Sequence, residues 1–288
     1  MSMVLEARSA AGQQFNVQPL SPLMAAEVVG LDLRKPLDPA TCQAVYGNFV
    51  RYQVLALRDQ SLAKPEQIAF TEQFGTLERH VASNRGGDIP LLHVVSNLNA
   101  EGKPSGKVKS TTWHSDKSFR PEPSLATILH AVIMPPDGGD TCFANMYAAY
   151  DALDEAEKAA FDGLRVIHSW ELSQQKSGLR ATEEEIRDAP PMSHPLVRVH
   201  PDSGRKCLFM GLHASHIDGW PMADGRALLA KLEAHATQDR FIYRHKWHTG
   251  DVLMWDNRCL LHRADPNFDA ALYPRVLHRT CLRGTSPG

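Results

Sequence analysis

No window of the 288-residue chain holds 18 consecutive apolar residues, which excludes a transmembrane helix. The opening MSMVLEARSAAGQQF has no charged segment followed by a long apolar one, so a secretory leader is not expected. Cysteine is scarce and scattered. Cys42, Cys142, Cys207, Cys259 and Cys281 are odd in number and include no C-x-x-C pair, which argues against a disulfide framework or a thiolate zinc cluster. They read as small buried hydrophobes in a cytoplasmic protein. Neither sign of charge is in excess: 31 Lys and Arg oppose 33 Asp and Glu, a formal charge of −2. That balance speaks against a nucleic-acid footprint or polybasic membrane binding and leaves room for a local basic pocket. Internal repeats and low-complexity tracts are also missing.

Histidine, by contrast, is abundant. Fourteen are present, and imidazole serves as acid, base or metal ligand near neutral pH. With 43% hydrophobic residues, a chain near 300 residues buries about three-quarters of its unfolded surface and needs no disulfide staple.

Asp38-Pro39 reads as the N-cap and first position of a helix whose apolar stripe is Cys42, Val45 and Phe49. Val54–Leu57 follows as a short buried strand, and further helices are expected over about 64–74, 146–153, 155–164 and 224–236. Residues 80–110, rich in Gly, Asn, Lys and Ser around one apolar run at 91–95, read as a long functional loop. Residues 174–192 read as a second, Arg/Glu-rich loop. Residues 241–247 and 252–255, flanking Thr249-Gly250-Asp251, read as a β-hairpin. Strand-like pieces at both ends without a βαβ rhythm point to a β-barrel or sandwich dressed with helices.

The chemistry concentrates in three places. In Thr112-Trp113-His114-Ser115-Asp116, strand alternation puts His114 and Asp116 on one side, about 7 Å apart, where they can converge on a cation. Alone, H-x-D is also a plain polar strand end. His262 closes the apolar run Cys259-Leu260-Leu261 beyond the corner Asp256-Asn257-Arg258 and alone reads as a hydrogen-bonded core residue. Arg275 and Arg279 share a strand face. Inside an apolar barrel two guanidiniums need anionic partners, whereas on an edge strand they need none. Together the pieces describe a two-histidine, one-carboxylate triad with an Arg 13 residues beyond the second His. Such a triad leaves three positions open on Fe(II), and arginine suits the remote carboxylate of a dicarboxylic 2-oxo acid.

On these residues the chain resembles the Fe(II)/2-oxoglutarate-dependent dioxygenases of the taurine dioxygenase and 2,4-dichlorophenoxyacetate dioxygenase family. The likeness covers nearly the whole chain and is strongest in WHSDKSFRPEP, PPDGGDTCFANMYAAYDAL, VRVHPDSGRKCLFMGLHASHIDG and GDVLMWDNRCLLHRA. The last two blocks look closer to the aryloxyalkanoate branch. The resemblance implies a mainly β protein with helices, its core a double-stranded β-helix (a cupin-like jelly-roll), in one domain over 1–288 with an active-site loop at 80–110. It makes His114, Asp116 and His262 the iron ligands. It assigns Thr141 and Arg275 to the distal carboxylate of 2-oxoglutarate and Arg279 to the substrate's anionic group.

Gly138-Gly139 reads as the turn that delivers Thr141, and Lys109 and Ser110, just ahead of Trp113, as solvated loop first and entrance lining second. Among His200, His213 and His216, hydrogen-bonded structural roles are expected, with His213 the best candidate to touch substrate. Trp255 is expected near the metal, as core aromatic or as pocket wall. Departures from the family lie mainly in 80–110, where substrate-facing residues would sit. The implied co-substrates are 2-oxoglutarate and O2, with ascorbate as a help in vitro. The implied substrate is a small anion, first an aryloxyacetate-type acid cleaved to a phenol and glyoxylate with release of succinate and CO2. Taurine, an alkyl sulfate or another small carboxylate is the alternative. A homo-oligomer is expected, with no nucleic-acid or membrane partner. Two other classes stay open on the residues alone. A zinc hydrolase lacks the H-E-x-x-H helix motif and an obvious general base near the triad. A non-catalytic jelly-roll binding protein is disfavoured by the intact triad and Arg275.

Overall fold

Short apolar segments pair into two main sheets in the computed structural model, which describes residues 5–7, 14–79 and 91–287. The larger sheet runs β1 (Leu5–Ala7), β2 (Phe15–Pro19), β3 (Ala26–Val29), β4 (Val54–Leu57), β14 (Val252–Asp256), β6 (Ser124–Ile133), β16 (Val276–Arg283) and β5 (His93–Ser96) in that order. The smaller consists of β13 (Ile242–His245), β7 (Thr141–Asn145) and β15 (Leu260–Ala264). Beside them stand a β8 (Arg165–His168), β9 (Met192–Pro195), β12 (Ala214–Ile217) sheet and a β10 (Val197–Val199), β11 (Lys206–Leu208) ribbon. The two main sheets form the jelly-roll core, and their inner faces meet where Trp255 of β14 packs edge-on to Phe143 of β7 at 5.5 Å.

β4 and β14 are buried at every position, which is why VLAL and VLMW read as continuous apolar runs rather than alternating ones. Leu253 and Trp255 point into the inner core with Phe143, Leu261 and Leu277. Val252 and Met254 point the other way, into a second core under α1 (Pro39–Tyr52) and α2 (Lys64–Glu72). Asp38 caps α1 as expected, its carboxylate accepting the Ala40 and Thr41 N–H groups. The buried stripe of α1 is Thr41, Val45 and Phe49, an i, i+4, i+8 row, so Cys42 sits at its margin instead of on it. The remaining helices are α3 (Met146–Asp151), α4 (Glu155–Phe161), α5 (Trp170–Lys176), α6 (Glu183–Asp188) and α7 (Met222–Ala236). None of the helices among the described residues is long and apolar enough to cross a membrane.

Three expectations about local structure need correction. β3 and β4 pair in parallel across α1, a βαβ unit hidden because β3 is only four residues long. The expected hairpin does not form: β13 pairs with β7, while β14 pairs with β4 and β6. An apolar run like VLMW needs partners on both edges and cover on both faces, so the chain crosses between sheets there. Residues 174–192 are not one loop. They hold the end of α5 and all of α6, whose Thr182–Glu185 capping box and acidic first turn support a helix with no buried side chain. Of the 80–110 segment, residues 80–90 lie outside the described part, and the apolar run supplies β5 against β16.

Asp251 pins the crossing between β13 and β14. Its carboxylate accepts the His248 N–H at 2.8 Å, pairs with the Arg58 guanidinium, and lies 3.5 Å from His245 Nε2. Burial alone would raise its pKa, but His245, the His248 N–H and Arg58 together hold it below the ordinary carboxylate range. Its contribution to stability is therefore complete above the unfolded value of about 3.9 and is lost as pH falls through the folded one. Asp251→Asn is expected to cost about 3–5 kcal/mol near neutral pH. Its melting temperature should also fall less steeply than the wild type's below about pH 4, read from thermal melts across pH 3 to 7.

Candidate metal centre and anion pocket

His114 and His262 are tied by their backbones. The His114 N–H donates to His262 O at 3.0 Å, and the His262 N–H donates to His114 O at 2.8 Å. This isolated bridge is all the strand pairing that residues 112–116 have, so the strand expected there is absent. The chain instead turns at Asp116, and Lys117 takes a positive φ of 52°. That turn, not alternation, brings the carboxylate back. Asp116 Oδ1 lies 3.8 Å from His114 Nε2 and Oδ2 lies 3.9 Å from His262 Nε2. Gly211 makes room behind the bridge: its φ is +117°, and a Cβ there would stand 3.1 Å from Trp113 O and 3.3 Å from His114 Cα.

The three side chains are buried, and their ligand atoms lie within 4.8 Å of one another. These separations exceed hydrogen-bond length. His114 Nδ1 donates to Thr112 O at 2.8 Å, which turns its Nε2 toward the cluster. Burial, then the neighbouring His114, holds His262 far below the usual imidazole range, so it is neutral. For Asp116, burial pushes upward, but Arg279, His262, His114 and the Thr127 hydroxyl outweigh it and keep the carboxylate ionised. A neutral imidazole at His262 and an ionised carboxylate at Asp116 are the protonation states a first-row divalent metal requires, and His114 adds a second ring nitrogen to the set. The residues fit such an ion.

A second cluster, His200, Asp256 and Cys259, also brings ligand atoms within 4.8 Å. Its polar atoms are already engaged with each other. Arg258 grips Asp256 with two N–H groups at 2.8 and 2.7 Å, and His200 Nε2 donates to it at 3.0 Å. His200 Nδ1 accepts the Asp202 and Ser203 N–H groups. His200 is thus a structural, hydrogen-bonded residue.

Arg275 immediately precedes β16, and with Leu277 and Arg279 it lies on the face turned into the core. Its Nε donates to Gly139 O at 2.9 Å and its Nη2 reaches Thr141 Oγ1 at 3.5 Å. Arg275 is 6% exposed, and among the described residues it makes no ion pair. Burial lowers its pKa to about 10, with Asp140 pulling the other way. The Gly138-Gly139 turn is required here. Both glycines have positive φ, and a Cβ at Gly138 would fall 2.1 Å from Asn267 O. Asn267 Oδ1 accepts the Gly139 and Asp140 N–H groups, and the chain then enters β7 at Thr141. Thr141 Oγ1 accepts from Trp247 Nε1 at 2.9 Å and from Arg275, so its own proton is left to donate. A buried cation beside a free hydroxyl donor suits an incoming carboxylate.

Arg279 donates to Asp116 Oδ1 at 3.4 Å. His213 packs edge-on to Phe119 (4.9 Å) and parallel to Trp170 (6.4 Å), which also touch each other (4.9 Å), and its Nδ1 is 3.1 Å from Ser118 Oγ. Burial, then His114, lowers it to about 3, so it is neutral. Trp255 is 1% exposed; its ring packs on His262 at 4.7 Å and its N–H donates to Asn257. His216 is half-buried beside Ser215, and Lys109 and Ser110 are exposed. Sequence reasoning missed Thr127 and Asn257, both within the hydrogen-bond web around Asp116. A buried Asp-Asn-Arg corner inside an apolar run was the available signal for Asn257. Thr127, within an ordinary strand, offered none.

The family model described as "Taurine catabolism dioxygenase TauD, TfdA family" matches residues 16–281. The chain is 42% identical over 265 residues to the alpha-ketoglutarate-dependent 2,4-dichlorophenoxyacetate dioxygenase of Cupriavidus pinatubonensis, covering 85% of this chain and 90% of that one. It is 37% identical to the (S)-phenoxypropionate/alpha-ketoglutarate-dioxygenase of Sphingobium herbicidovorans, covering 88% and 90%. Among solved structures, AAD-2 in complex with Mn(II) and N-oxalylglycine superposes with a TM-score of 0.82 at 38% identity, over 95% of this chain and 99% of that one.

Replacing any of His114, Asp116 or His262 by Ala should lower Mn(II) affinity at least 100-fold, about 2.7 kcal/mol, in a titration followed by electron spin resonance. The circular dichroism spectrum should stay that of the wild type, because these side chains supply ligands and not core volume.

Proposed function

The chain belongs to the taurine catabolism dioxygenase TauD, TfdA family and is a 2-oxoglutarate-dependent non-haem iron dioxygenase; we propose that its substrate is an aryloxyacetate-type acid. His114, Asp116 and His262 hold the iron, Arg275 and Thr141 hold the distal carboxylate of 2-oxoglutarate, and Arg279 takes the substrate's own anionic group. When bound, iron with 2-oxoglutarate and O2 supplies the oxidising chemistry, with succinate and CO2 as products. The chain's part is to bind, orient and keep water out. The observation that carries the reading is Arg275, a buried guanidinium without an ion pair among the described residues. Left alone it is costly, and a dicarboxylate held at the metal by its 2-oxo acid end would neutralise it with the other carboxylate.

Arg279, leaning on Asp116 at 3.4 Å, sets a second positive charge beside the metal ligands. A substrate carboxylate held there directs its adjacent CH2 to the reacting centre. Hydroxylation next to an ether oxygen yields a hemiacetal that collapses to a phenol and glyoxylate. The Phe119–His213–Trp170 group supplies an apolar wall for the aryl ring, and neutral His213 keeps it free of extra charge. Support for the substrate class comes from the curated relatives, which act on 2,4-dichlorophenoxyacetate and on (S)-phenoxypropionate. The same reading takes residues 1–288 as one domain. It also holds a cytoplasmic location, which suits five free cysteines, and a homo-oligomer, which light scattering checks.

Arg275→Lys should raise the KM for 2-oxoglutarate strongly, because one ammonium cannot make a two-pronged contact. Thr141→Ala should weaken co-substrate binding by about 1.5–3 kcal/mol, the worth of one hydrogen bond to a charged group. Arg275→Met should melt higher than wild type without ligand, by about 1–4 kcal/mol of stability, yet gain nothing from added 2-oxoglutarate. Unchanged 2-oxoglutarate dependence across all three variants sinks the pocket assignment.

The substrate is tested by offering phenoxyacetates, 2-phenoxypropionates, taurine and an alkyl sulfate side by side. Released phenol, sulfite or sulfate is measured against succinate. Aryloxy acids are expected to lead, and Arg279→Ala should lose their turnover while retaining slow, uncoupled 2-oxoglutarate consumption. Zn(II) should inhibit, since it binds such ligands at least as well as Fe(II) but cannot activate O2; catalysis with zinc would favour the hydrolase.

A further inference from the structure

The two oxygens of Asp116 are not equivalent. Both face the cluster, Oδ1 lying 3.8 Å from His114 Nε2 and Oδ2 3.9 Å from His262 Nε2, but Oδ2 accepts the Thr127 hydroxyl at 2.6 Å whereas Oδ1 has only the longer 3.4 Å contact from Arg279 Nη1. The short contact continues into a chain of hydrogen bonds with a fixed direction. Trp255 Nε1–H donates to Asn257 Oδ1 at 3.1 Å, and Asn257 Nδ2–H donates to Thr127 Oγ1 at 2.9 Å. An indole can only donate, so the amide orientation is set. The Thr127 proton is then left for the carboxylate. Asn257 also holds the turn itself: its Oδ1 accepts the Asp116 N–H at 3.3 Å, and its backbone carbonyl accepts the Ser115 hydroxyl at 2.7 Å.

All the relay members are buried, with Thr127 0%, Asn257 1% and Trp255 1% exposed. Water therefore does not replace these bonds. The far end of the relay also touches the triad, because the Trp255 ring packs on His262 at 4.7 Å. One amide thus ties together the backbone of Asp116, its carboxylate and the ring behind His262.

We propose that Thr127 and Asn257 are positioning residues that restrict Asp116 to coordination through Oδ1 alone. This rests on the dioxygenase reading above and adds to it a determinant of how many positions stay open. A carboxylate can hold a cation through one oxygen or both. The short charge-assisted hydrogen bond holds Oδ2 toward Thr127 and weakens it as a ligand, so Oδ1, with only the 3.4 Å Arg279 contact, is the better donor to an ion. Three positions are then kept for two-oxygen chelation by 2-oxoglutarate and for O2. Without the cap, the freed Oδ2 turns onto the ion and closes one of them.

The test uses Co(II)-loaded full-length protein without O2, so no turnover enters. Visible absorption reports coordination number, and a 2-oxoglutarate titration reports how freely the chelator enters. Thr127→Val keeps the side-chain shape and removes the cap; Thr127→Ser restores a hydroxyl. Thr127→Val is expected to keep Co(II), to show an altered visible spectrum, and to bind 2-oxoglutarate about 10–100-fold more weakly. Thr127→Ser should recover both spectrum and affinity. A general folding defect would lower Co(II) affinity and thermal stability together and would not spare the metal while excluding the chelator, so that pattern counts against the proposal. Wild-type-like spectra and 2-oxoglutarate affinity in folded Thr127→Val overturn it alone. If the wild-type Co(II) spectrum ignores 2-oxoglutarate, the dioxygenase reading falls and takes this one with it.

Discussion

The backbone bridge between His114 and His262 ties a turn to a strand, and the rest of the site follows from that join. β15 pairs with β7 so that His262 stands opposite Phe143 and Ala264 opposite Thr141. Once His262 is placed, Thr141 is placed too, one strand repeat away on the same inner face. The larger sheet supplies the other half. In β14, β6 and β16, Thr127 lies opposite both Trp255 and Cys281, which sets the hydroxyl beneath Asp116 and keeps Arg279 two residues from Cys281 within reach. The ligands come from segments remote in the chain, but two register choices align them.

Charge balance is the second constraint. An ionised carboxylate in a dry barrel survives because a guanidinium, two imidazoles and a hydroxyl all face Asp116. Arg275 has the opposite difficulty: it is a cation with carbonyl and hydroxyl partners but no ion pair among the described residues. The Asp256–Arg258–His200 cluster shows a buried charge satisfied from within, with two direct guanidinium contacts and a donating imidazole. Nothing there waits for a ligand. Around Asp116 and Arg275 the polar groups are only partly satisfied, and that incompleteness is what makes the region a site rather than a structural ion pair.

Much of the chemistry was legible in the chain because it depends on residue type and short spacing. The H-x-D pair, the later His262, the Arg275 and Arg279 pair and the double glycine before Thr141 are all visible without a fold. So are the Asp38 cap of α1 and the buried strands β4 and β14, since capping and apolar runs are local properties. The expected strand at His114–Asp116 was wrong in form but right in outcome: a turn with positive φ at Lys117 does what alternation was expected to do.

Partner choice was not legible. β13 and β14 look like a hairpin over a dozen residues, yet β14 needs neighbours on both edges to bury VLMWD, and it finds them in β4 and β6. Nor does a local pattern mark a relay linking Trp255, Asn257, Thr127 and Asp116, because Thr127 and Asn257 are separated by 130 positions. The sequence by itself determined which groups could hold a metal and an anion, through their chemistry. Only the tertiary structure decided how they are supported. Strand register and buried hydrogen-bond direction are set by which distant segments satisfy each other's backbone and polar groups, and that information is shared between segments instead of residing in any one of them.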